Sequence, residues 1–149
     1  MIGEEVRTHS AVHVLKGAAQ NVLGVKWTAS VYVAGKHGRL TVQFDRKPTD
    51  EEMARIERAA NQKVSEGAEI LEFEMEKEEA EGHFGDYIYD LFPLPTSVTR
   101  LKIVRIPDWN VNCCIERHVE STSQIGRIRL GRPRFRKSRR ELELEFDVA

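Results

Sequence analysis

Residues 29–66 read ASVYVAGKHGRLTVQFDRKPTDEEMARIERAANQKVSE and place two unlike patterns side by side. Apolar and polar side chains alternate over Ala29–Ala34 and again over Arg39–Asp45, with Gly35–Gly38 between them, which predicts a β-hairpin. The following stretch Thr49–Glu52 has the form of a capping box, which predicts a helix that runs to about Glu66. A hairpin followed directly by a capped helix indicates a fold of mixed α and β structure.

The patterns on either side of this stretch extend that fold. A helix is predicted from about Thr8 to Leu23, with Thr8 as its N-cap and Gly24 as its stop. Alternation predicts further strands at Ile70–Met75, Arg100–Ile106, Ile125–Leu130 and Glu141–Phe146. A short helix is predicted over Lys77–Phe84, and Pro93 and Pro95 indicate a loop. We therefore expect an α+β fold over residues 1–149 as a single domain, with a mainly antiparallel sheet and helices packed on one face in a two-layer sandwich.

Composition excludes several classes of protein. The 149 residues carry 23 Lys and Arg against 24 Asp and Glu. No stretch approaches the roughly 18 apolar residues of a membrane span. The start, MIGEEVRTHS, lacks the apolar core of a signal peptide. The two cysteines, Cys113 and Cys114, are adjacent and cannot staple a fold, so we expect a reducing, cytoplasmic setting and no membrane partner.

Charge is distributed unevenly along the chain. Residues 50–86 carry 13 acidic and four basic side chains. Residues 127–140 carry eight basic side chains and no acidic ones: Arg127, Arg129, Arg132, Arg134, Arg136, Lys137, Arg139 and Arg140. This basic segment fits a phosphate-binding face. It equally fits a charged edge hairpin, because strand edges carry Lys and Arg to block aggregation.

Two short motifs carry metal-binding residue types. His9 and His13 form H-x-x-x-H on the first helix, where a spacing of four places both imidazoles on one face. Lys16 and Gln20 fall near the same line. Cys114 and His118 form C-x-x-x-H, and their side chains would also share one face if that segment makes a helical turn. The side chain of Cys113 would then lie on a different face from that of His118.

Three nitrogens and one sulfur suit zinc, and the residues leave its role open. Four protein ligands are typical of a structural zinc that ties the first helix to the C-terminal half of the chain. A site with an open or additional coordination position would instead bind a substrate group or activate water.

The chain resembles the editing domain shared by alanyl- and threonyl-tRNA synthetases. The resemblance rests on the stretches 7–13 (RTHSAVH), 26–28 (KWT), 44–48 (FDRKP) and 108–112 (DWNVN), together with the two motifs above. It covers essentially the whole chain, although Ile115 stands where many synthetase domains have glycine. Because 149 residues leave no room for an aminoacylation domain, the chain looks like the short, free-standing AlaX-type alanyl-tRNA editing protein.

The resemblance implies a hydrolase that acts in trans on mischarged tRNA. Its substrate would be tRNA(Ala) charged with serine, with glycine as a second candidate, and the bond broken would be the aminoacyl ester. His9, His13, Cys114 and His118 match the family's zinc ligands, one ion per chain. Thr28 matches a position that recognises the serine hydroxyl; without the resemblance, Thr28 is an ordinary β-branched residue entering a strand. No general base is assigned.

Binding of the tRNA acceptor stem and 3′ end would fall to the basic segment, and an unpaired base could stack on an aromatic ring of Trp27, Tyr32 or Trp109. Core packing is the alternative role for each of these rings. Two rival functions remain. One is a Ser-tRNA(Thr) deacylase of the same fold, and the other is a non-catalytic, zinc-stabilised RNA-binding module.

Overall fold

Two antiparallel sheets and three α-helices make up the part of the chain, residues 3–92 and 94–149, that the computed structural model describes. The helices are α1 (Glu4–Leu23), α2 (Asp50–Glu66) and α3 (Lys77–Phe84). The strands are β1 (Thr28–Ala34), β2 (His37–Gln43), β3 (Leu71–Glu76), β4 (Arg100–Ile106), β5 (Asn110–Cys113), β6 (Ile128–Leu130), β7 (Arg134–Arg136) and β8 (Glu141–Val148). Single 3₁₀ turns occupy Gly85–Ile88 and Thr122–Gln124.

The larger sheet has the strand order β1-β2-β8-β6, and β7 pairs with a different part of β8. Strand β8 therefore lies in the middle and pairs with three neighbours. Its apolar residues Leu142, Leu144 and Phe146 alternate with glutamates and are fully buried. Helices α1 and α2 pack against each other and against this sheet, with Leu15 of α1 and Ile56 of α2 in the shared core.

The smaller sheet has the order β3-β4-β5. It carries a second, smaller core around Ala80, Ile88, Leu101 and Ile103, with α3 packed against β3 and β4. Helix α1 also contacts β5, so it lies between the two sheets. The predicted α+β fold with helices layered on antiparallel strands is confirmed, with two sheets in place of the single one expected.

The helix ends correct one prediction and agree with two. Helix α1 begins at Glu4 after Gly3, and Thr8 is not its N-cap. The hydroxyl of Thr8 lies inside the helix, where it donates to the carbonyls of Glu4 and Gly35. Gly24 ends α1 in the left-handed conformation (φ 74°). Helix α2 has the predicted capping box, in which Thr49 and Glu52 bond to each other's backbone N–H groups.

The strands agree with the predicted ones to within a few residues, and two short strands were not predicted. Strand β5 (Asn110–Cys113) was not predicted, and β7 lies in the basic segment, which was expected only to connect two strands. A loop was predicted around Pro93 and Pro95, and Pro93 lies outside the described residues. No helix in the described ranges is long and apolar enough to cross a membrane.

Candidate metal site and its cavity

Three of the four predicted metal ligands meet in the structure. The donor atoms of His13, Cys114 and His118 all lie within 4.8 Å of one another. His13 is buried, and the side chain of His118 is fully shielded from solvent. The rings of these two histidines meet edge to face with centroids 4.7 Å apart. Residues from both ends of the chain therefore converge on one point.

Backbone contacts, not a helical turn, bring Cys114 and His118 together. Residues 114–118 form an irregular loop, so the helical turn considered for C-x-x-x-H is wrong. The N–H of Cys114 donates to the carbonyl of Lys102 (3.1 Å) at one end of the loop. At the other end the N–H of Val119 donates to the hydroxyl of Ser10 on α1 (2.9 Å). The loop is thus fixed to β4 and to the helix that carries His13.

Glu72 on β3 orients the ring of His118. One carboxylate oxygen accepts from the backbone N–H of His118 (2.9 Å) and from its Nδ1 (3.0 Å). The other oxygen lies 3.3 Å from the ammonium of Lys102. Burial acts to raise the pKa of Glu72, but its bonds to His118 and Lys102 outweigh burial and hold that pKa below its usual value. The ring is left with Nε2 directed at Cys114 Sγ, 3.6 Å away.

Asn110 on β5 holds His13 in a similar way. Its side-chain oxygen lies 3.4 Å from His13 Nδ1, and its amide donates to the side-chain oxygen of Gln20 (3.1 Å), about two helical turns further along α1. Burial, reinforced by the neighbouring His118, lowers the pKa of His13 to about 3. The imidazole is therefore neutral at physiological pH, with Nε2 available as a metal donor.

Trp109 fixes the distance between β5 and α1. Its indole N–H donates to the carbonyl of Val14 (2.9 Å), in the middle of the helix. This close approach is possible because position 17 is glycine, since a Cβ there would overlap the indole ring. Trp109 thus has a packing role, which places Asn110 against His13.

The two adjacent cysteines have different surroundings. Cys114 belongs to the donor group, whereas Cys113 packs beside the smaller core. Burial raises the pKa of both thiols, that of Cys113 to about 11. A metal that binds Cys114 must therefore displace its proton, as thiolate ligands generally require.

The donor set fits a metal ion by its chemistry and its surroundings. One thiol and two neutral imidazoles are buried or partly buried and are close enough to share an ion. Each imidazole is held through its Nδ1 by a carboxylate or amide oxygen, the outer arrangement that is general for metal-binding histidines. We conclude that this His–Cys–His group can hold a metal ion.

The fourth predicted ligand, His9, lies nearby but outside this group. It precedes His13 by one helical turn and lines the same cavity. Its role as a ligand stays a prediction.

A cavity of about 510 Å³ opens beside the donor group, and we call it the site cavity. Its wall includes both metal-binding and other polar residues: His9, His13, Lys16, Thr28, Asp90, Arg100, Lys102, Asn112, Cys113, Cys114 and Glu116. Exposed apolar side chains of Val31, Leu94 and Ile115 contribute to the same wall, with Ile115 85% exposed. The volume lies in the range of small-molecule sites in proteins.

Thr28 reaches the site cavity from the first position of β1. The register between β1 and β2 shifts between Thr28 and Ser30, a β-bulge of the kind that redirects side chains next to functional sites. Thr28 is 4% exposed, and its carbonyl accepts from the N–H of Leu91 (2.8 Å). Its hydroxyl makes no hydrogen bond with the described residues, so it is available to a ligand.

The basic segment lies at the opposite edge of the larger sheet from β1. All eight of its side chains are exposed, and Arg136 pairs with Glu143 of β8 (2.8 Å). Three strand spacings separate that edge from β1, or about 14 Å. The segment thus lies where an edge hairpin would lie, and its exposed Arg and Lys side chains remain accessible to a large ligand.

The aromatic candidates differ in exposure. Tyr32 is 49% exposed, with Arg39 over its ring. Trp27 is half-buried, with Lys26 over its ring and its indole N–H directed at the carbonyl of Asp86 (3.4 Å). With Trp109 engaged in packing, Tyr32 is the most exposed of the three rings.

Sequence reasoning missed Glu72, Asn112 and Asp90 as parts of this site. Lys16 was predicted to lie on the same face of α1 as His9 and His13, and in the structure all three residues line the site cavity. Asn110 and Asn112 had only a weak signal: they alternate with Val111 and Cys113 as residues of a strand do, but asparagines at the buried positions are more typical of a loop. Glu72 had no such signal, because it meets His118 only across 46 residues of chain.

The contact between Glu72 and His118 predicts a measurable loss of metal affinity. Replacing Glu72 with Ala should weaken zinc binding about 10- to 100-fold, because the ring of His118 loses its orienting partner. Competition with a chromophoric chelator measures the affinity. Glu74→Ala is the matched control, since Glu74 lies two residues further along β3 and pairs with Arg100 (3.6 Å). Equal affinities for the two variants would contradict the assigned role of Glu72.

Fold and site together define an α+β protein with a shielded His–Cys–His group beside a polar cavity. Over most of its length this chain is similar to a segment of alanine–tRNA ligases. It is 36% identical over 131 residues to the ligase of Methanopyrus kandleri, which is 87% of this chain. It is 35% and 37% identical over 126 residues, 84% of the chain, to those of Staphylothermus marinus and Hyperthermus butylicus. The chain spans about 14% of the length of these ligases. No protein-family model matches it.

Proposed function

We propose that this protein is an aminoacyl-tRNA deacylase that removes serine from mischarged tRNA(Ala) with one bound zinc ion. It would act in trans, as a free-standing AlaX-type editing protein, in the cytoplasm where tRNA is charged. One observation carries the proposal. A stretch similar to alanine–tRNA ligases brings a metal-binding group and the free hydroxyl of Thr28 into one cavity.

Zinc is the metal that this donor set favours. Zinc binds imidazole nitrogen and thiolate sulfur together, whereas magnesium and calcium prefer oxygen. His13, Cys114 and His118 would hold the ion, with His9 as the fourth ligand one helical turn away. When bound, the ion supplies a Lewis acid at the cavity wall and orients the end of the substrate.

Thr28 would select for serine over alanine. Alanine differs from serine in lacking the side-chain hydroxyl, so a site that requires this hydroxyl spares correctly charged tRNA. A buried polar group left without a partner makes such discrimination strong. Thr28 suits this role, because the residue is 4% exposed, lines the site cavity and has no hydrogen-bond partner for its hydroxyl among the described residues.

The reaction is the hydrolysis of an ester. The oxygen of a water molecule bonds to the carbonyl carbon, the bond between that carbon and the ribose oxygen breaks, and the ribose oxygen takes up a proton. The products are free serine and tRNA with a free terminal hydroxyl. The group that removes the proton from water is unassigned.

The surroundings of the cavity suit the end of a tRNA. The exposed apolar side chains of Val31, Leu94 and Ile115 offer a surface for the terminal adenosine, since bases of single-stranded ends pack on apolar and aromatic groups. The basic segment at the far edge of the larger sheet would contact acceptor-stem phosphates, which lie beyond the reach of the cavity itself.

Deacylation by the purified protein tests this function. Ser-tRNA(Ala) should be hydrolysed, and Ala-tRNA(Ala) should survive under the same conditions. Thr28→Val keeps the shape of the side chain and removes the hydroxyl, so it should reduce the preference for serine about tenfold, the value of one neutral hydrogen bond. The matched control is Thr41→Val, because Thr41 is a buried threonine of β2 outside the cavity wall.

Other outcomes would assign the protein differently. Hydrolysis of Ser-tRNA(Thr) in preference to Ser-tRNA(Ala) would make it the threonine-specific deacylase. Binding of tRNA without hydrolysis, by protein loaded with zinc, would make it an RNA-binding module in which the metal has a structural role. An unchanged serine preference in Thr28→Val would remove Thr28 from the specificity site.

A further inference from the structure

A buried lysine and a carboxylate face the site cavity from either side of one amide. Lys16 on α1 is 2% exposed, and its ammonium donates to the side-chain oxygen of Asn112. The amide nitrogen of Asn112 donates to a carboxylate oxygen of Asp90 (3.1 Å) and to the carbonyl of Cys113 (3.1 Å). Lys16, Asn112 and Asp90 all line the cavity beside Thr28 and the metal donors.

This arrangement differs from a structural ion pair. A buried charge in a protein is generally paired with an opposite charge in direct contact. Instead, Asn112 separates the two charges, and within the described part of the chain Lys16 forms no ion pair. The ammonium has three donors and the carboxylate two oxygens, so each keeps capacity for a ligand. Burial lowers the pKa of Lys16 to about 8, against the opposing charge of Asp90, so the amine is mostly charged at pH 7.

We propose that Asp90 binds the α-ammonium group of the aminoacyl ester and that Lys16 binds the oxygen of its ester carbonyl. The inference rests on the proposed deacylase function and adds the groups that orient the substrate. An aminoacyl ester carries a positive charge one carbon away from a carbonyl whose oxygen becomes negative as water attacks. In the cavity wall, Asp90 offers a negative charge to the ammonium group and Lys16 offers a positive charge to the carbonyl oxygen, with Asn112 between them. A donor aimed at that oxygen stabilises the transition state.

The position of Asp90 favours it over the other carboxylate of the wall, Glu116. The hydrogen bond between the N–H of Leu91 and the carbonyl of Thr28 (2.8 Å) places residue 90 next to Thr28. The α-ammonium and the hydroxyl of serine are on neighbouring carbons, so their receptors should be neighbours too. Glu116 lies instead in the loop between Cys114 and His118.

The test removes the positive charge from the substrate and the negative charge from the protein. We would measure kcat/KM for Ser-tRNA(Ala) and for N-acetyl-Ser-tRNA(Ala) with the zinc-loaded wild type, Asp90→Asn and Glu116→Gln. The wild type should prefer the free amine about 10- to 100-fold, the value of a hydrogen bond to a charged group. Asp90→Asn should lose that preference, because its kcat/KM should fall for Ser-tRNA(Ala) and stay unchanged for N-acetyl-Ser-tRNA(Ala). Glu116→Gln should keep the preference.

Each contrary result has a distinct meaning. Equal losses on both substrates in Asp90→Asn, with wild-type zinc content, would show a structural role and overturn the inference. A preference lost in Glu116→Gln but kept in Asp90→Asn would place the ammonium group at Glu116. A wild type that hydrolyses neither substrate would overturn the proposed function and this inference with it.

Discussion

Cys114→Ala is expected to abolish tight zinc binding and to lower kcat/KM for Ser-tRNA(Ala) by about 1,000-fold or more. The thiol is the sulfur donor of the group formed with His13 and His118. Its loss removes the only thiolate of the proposed ligand set and leaves the imidazoles of His9, His13 and His118, which should hold zinc less tightly than a set that includes a thiolate. Metal analysis of the purified protein, together with the deacylation rate, measures both effects.

The neighbouring cysteine provides the matched control for this prediction. Cys113→Ala changes the same chemical group one residue earlier, but Cys113 packs beside the smaller core and is outside the donor group. It should retain full zinc content and lose some stability from reduced packing. If Cys113→Ala lost zinc while Cys114→Ala kept it, the assignment of the donor group would be wrong.

Lys16→Met is expected to lower kcat about 100- to 1,000-fold and to change KM little, because the lost interaction belongs to the transition state. Methionine has a similar length and an apolar side chain, so it can fill the buried position of Lys16. The melting temperature should be unchanged or higher, since burial of an ammonium is costly. Steady-state deacylation and thermal unfolding of the same preparation provide the two measurements.

Lys26→Met serves as the control for the loss of one positive charge. Lys26 makes an exposed ion pair with Asp86 (2.9 Å) outside the site cavity, so its replacement should leave kcat unchanged. A marked fall in melting temperature for Lys16→Met with an unchanged kcat would indicate that Lys16 is a structural residue and would contradict its proposed contact with the carbonyl oxygen.

Local rules were sufficient for most helices and strands of this chain. The capping box of α2, the left-handed Gly24 and the β1–β2 hairpin each depend on a few consecutive residues. Strand β5 escaped prediction because its inward positions are asparagines, Asn110 and Asn112, which resemble loop residues until their partners are known. Those partners, His13 and Lys16, are nearly 100 residues away.

The candidate site was predictable only in part for the same reason. The spacing of His9 and His13 on a helix follows from the sequence, because helix geometry is local. The meeting of Cys114 with His118 does not, since a loop fixed by Lys102 and Ser10 replaces the helical turn. The charges of Glu72 and Asp90 become part of the site only through sheet pairing and a backbone contact with Thr28.

The central position of β8 has a consequence for synthesis on the ribosome. Strand β2 is made early, but its partner in the larger sheet is β8, and paired residues such as His37 and Asp147 are 110 positions apart. At cellular rates of translation, the edge of the early hairpin waits about 5 to 20 s for that partner. During that time the apolar side of α1 and an unpaired strand edge are open to other nascent chains. The chain should therefore fold mainly after synthesis, and slowly, because so many of its contacts are distant in sequence.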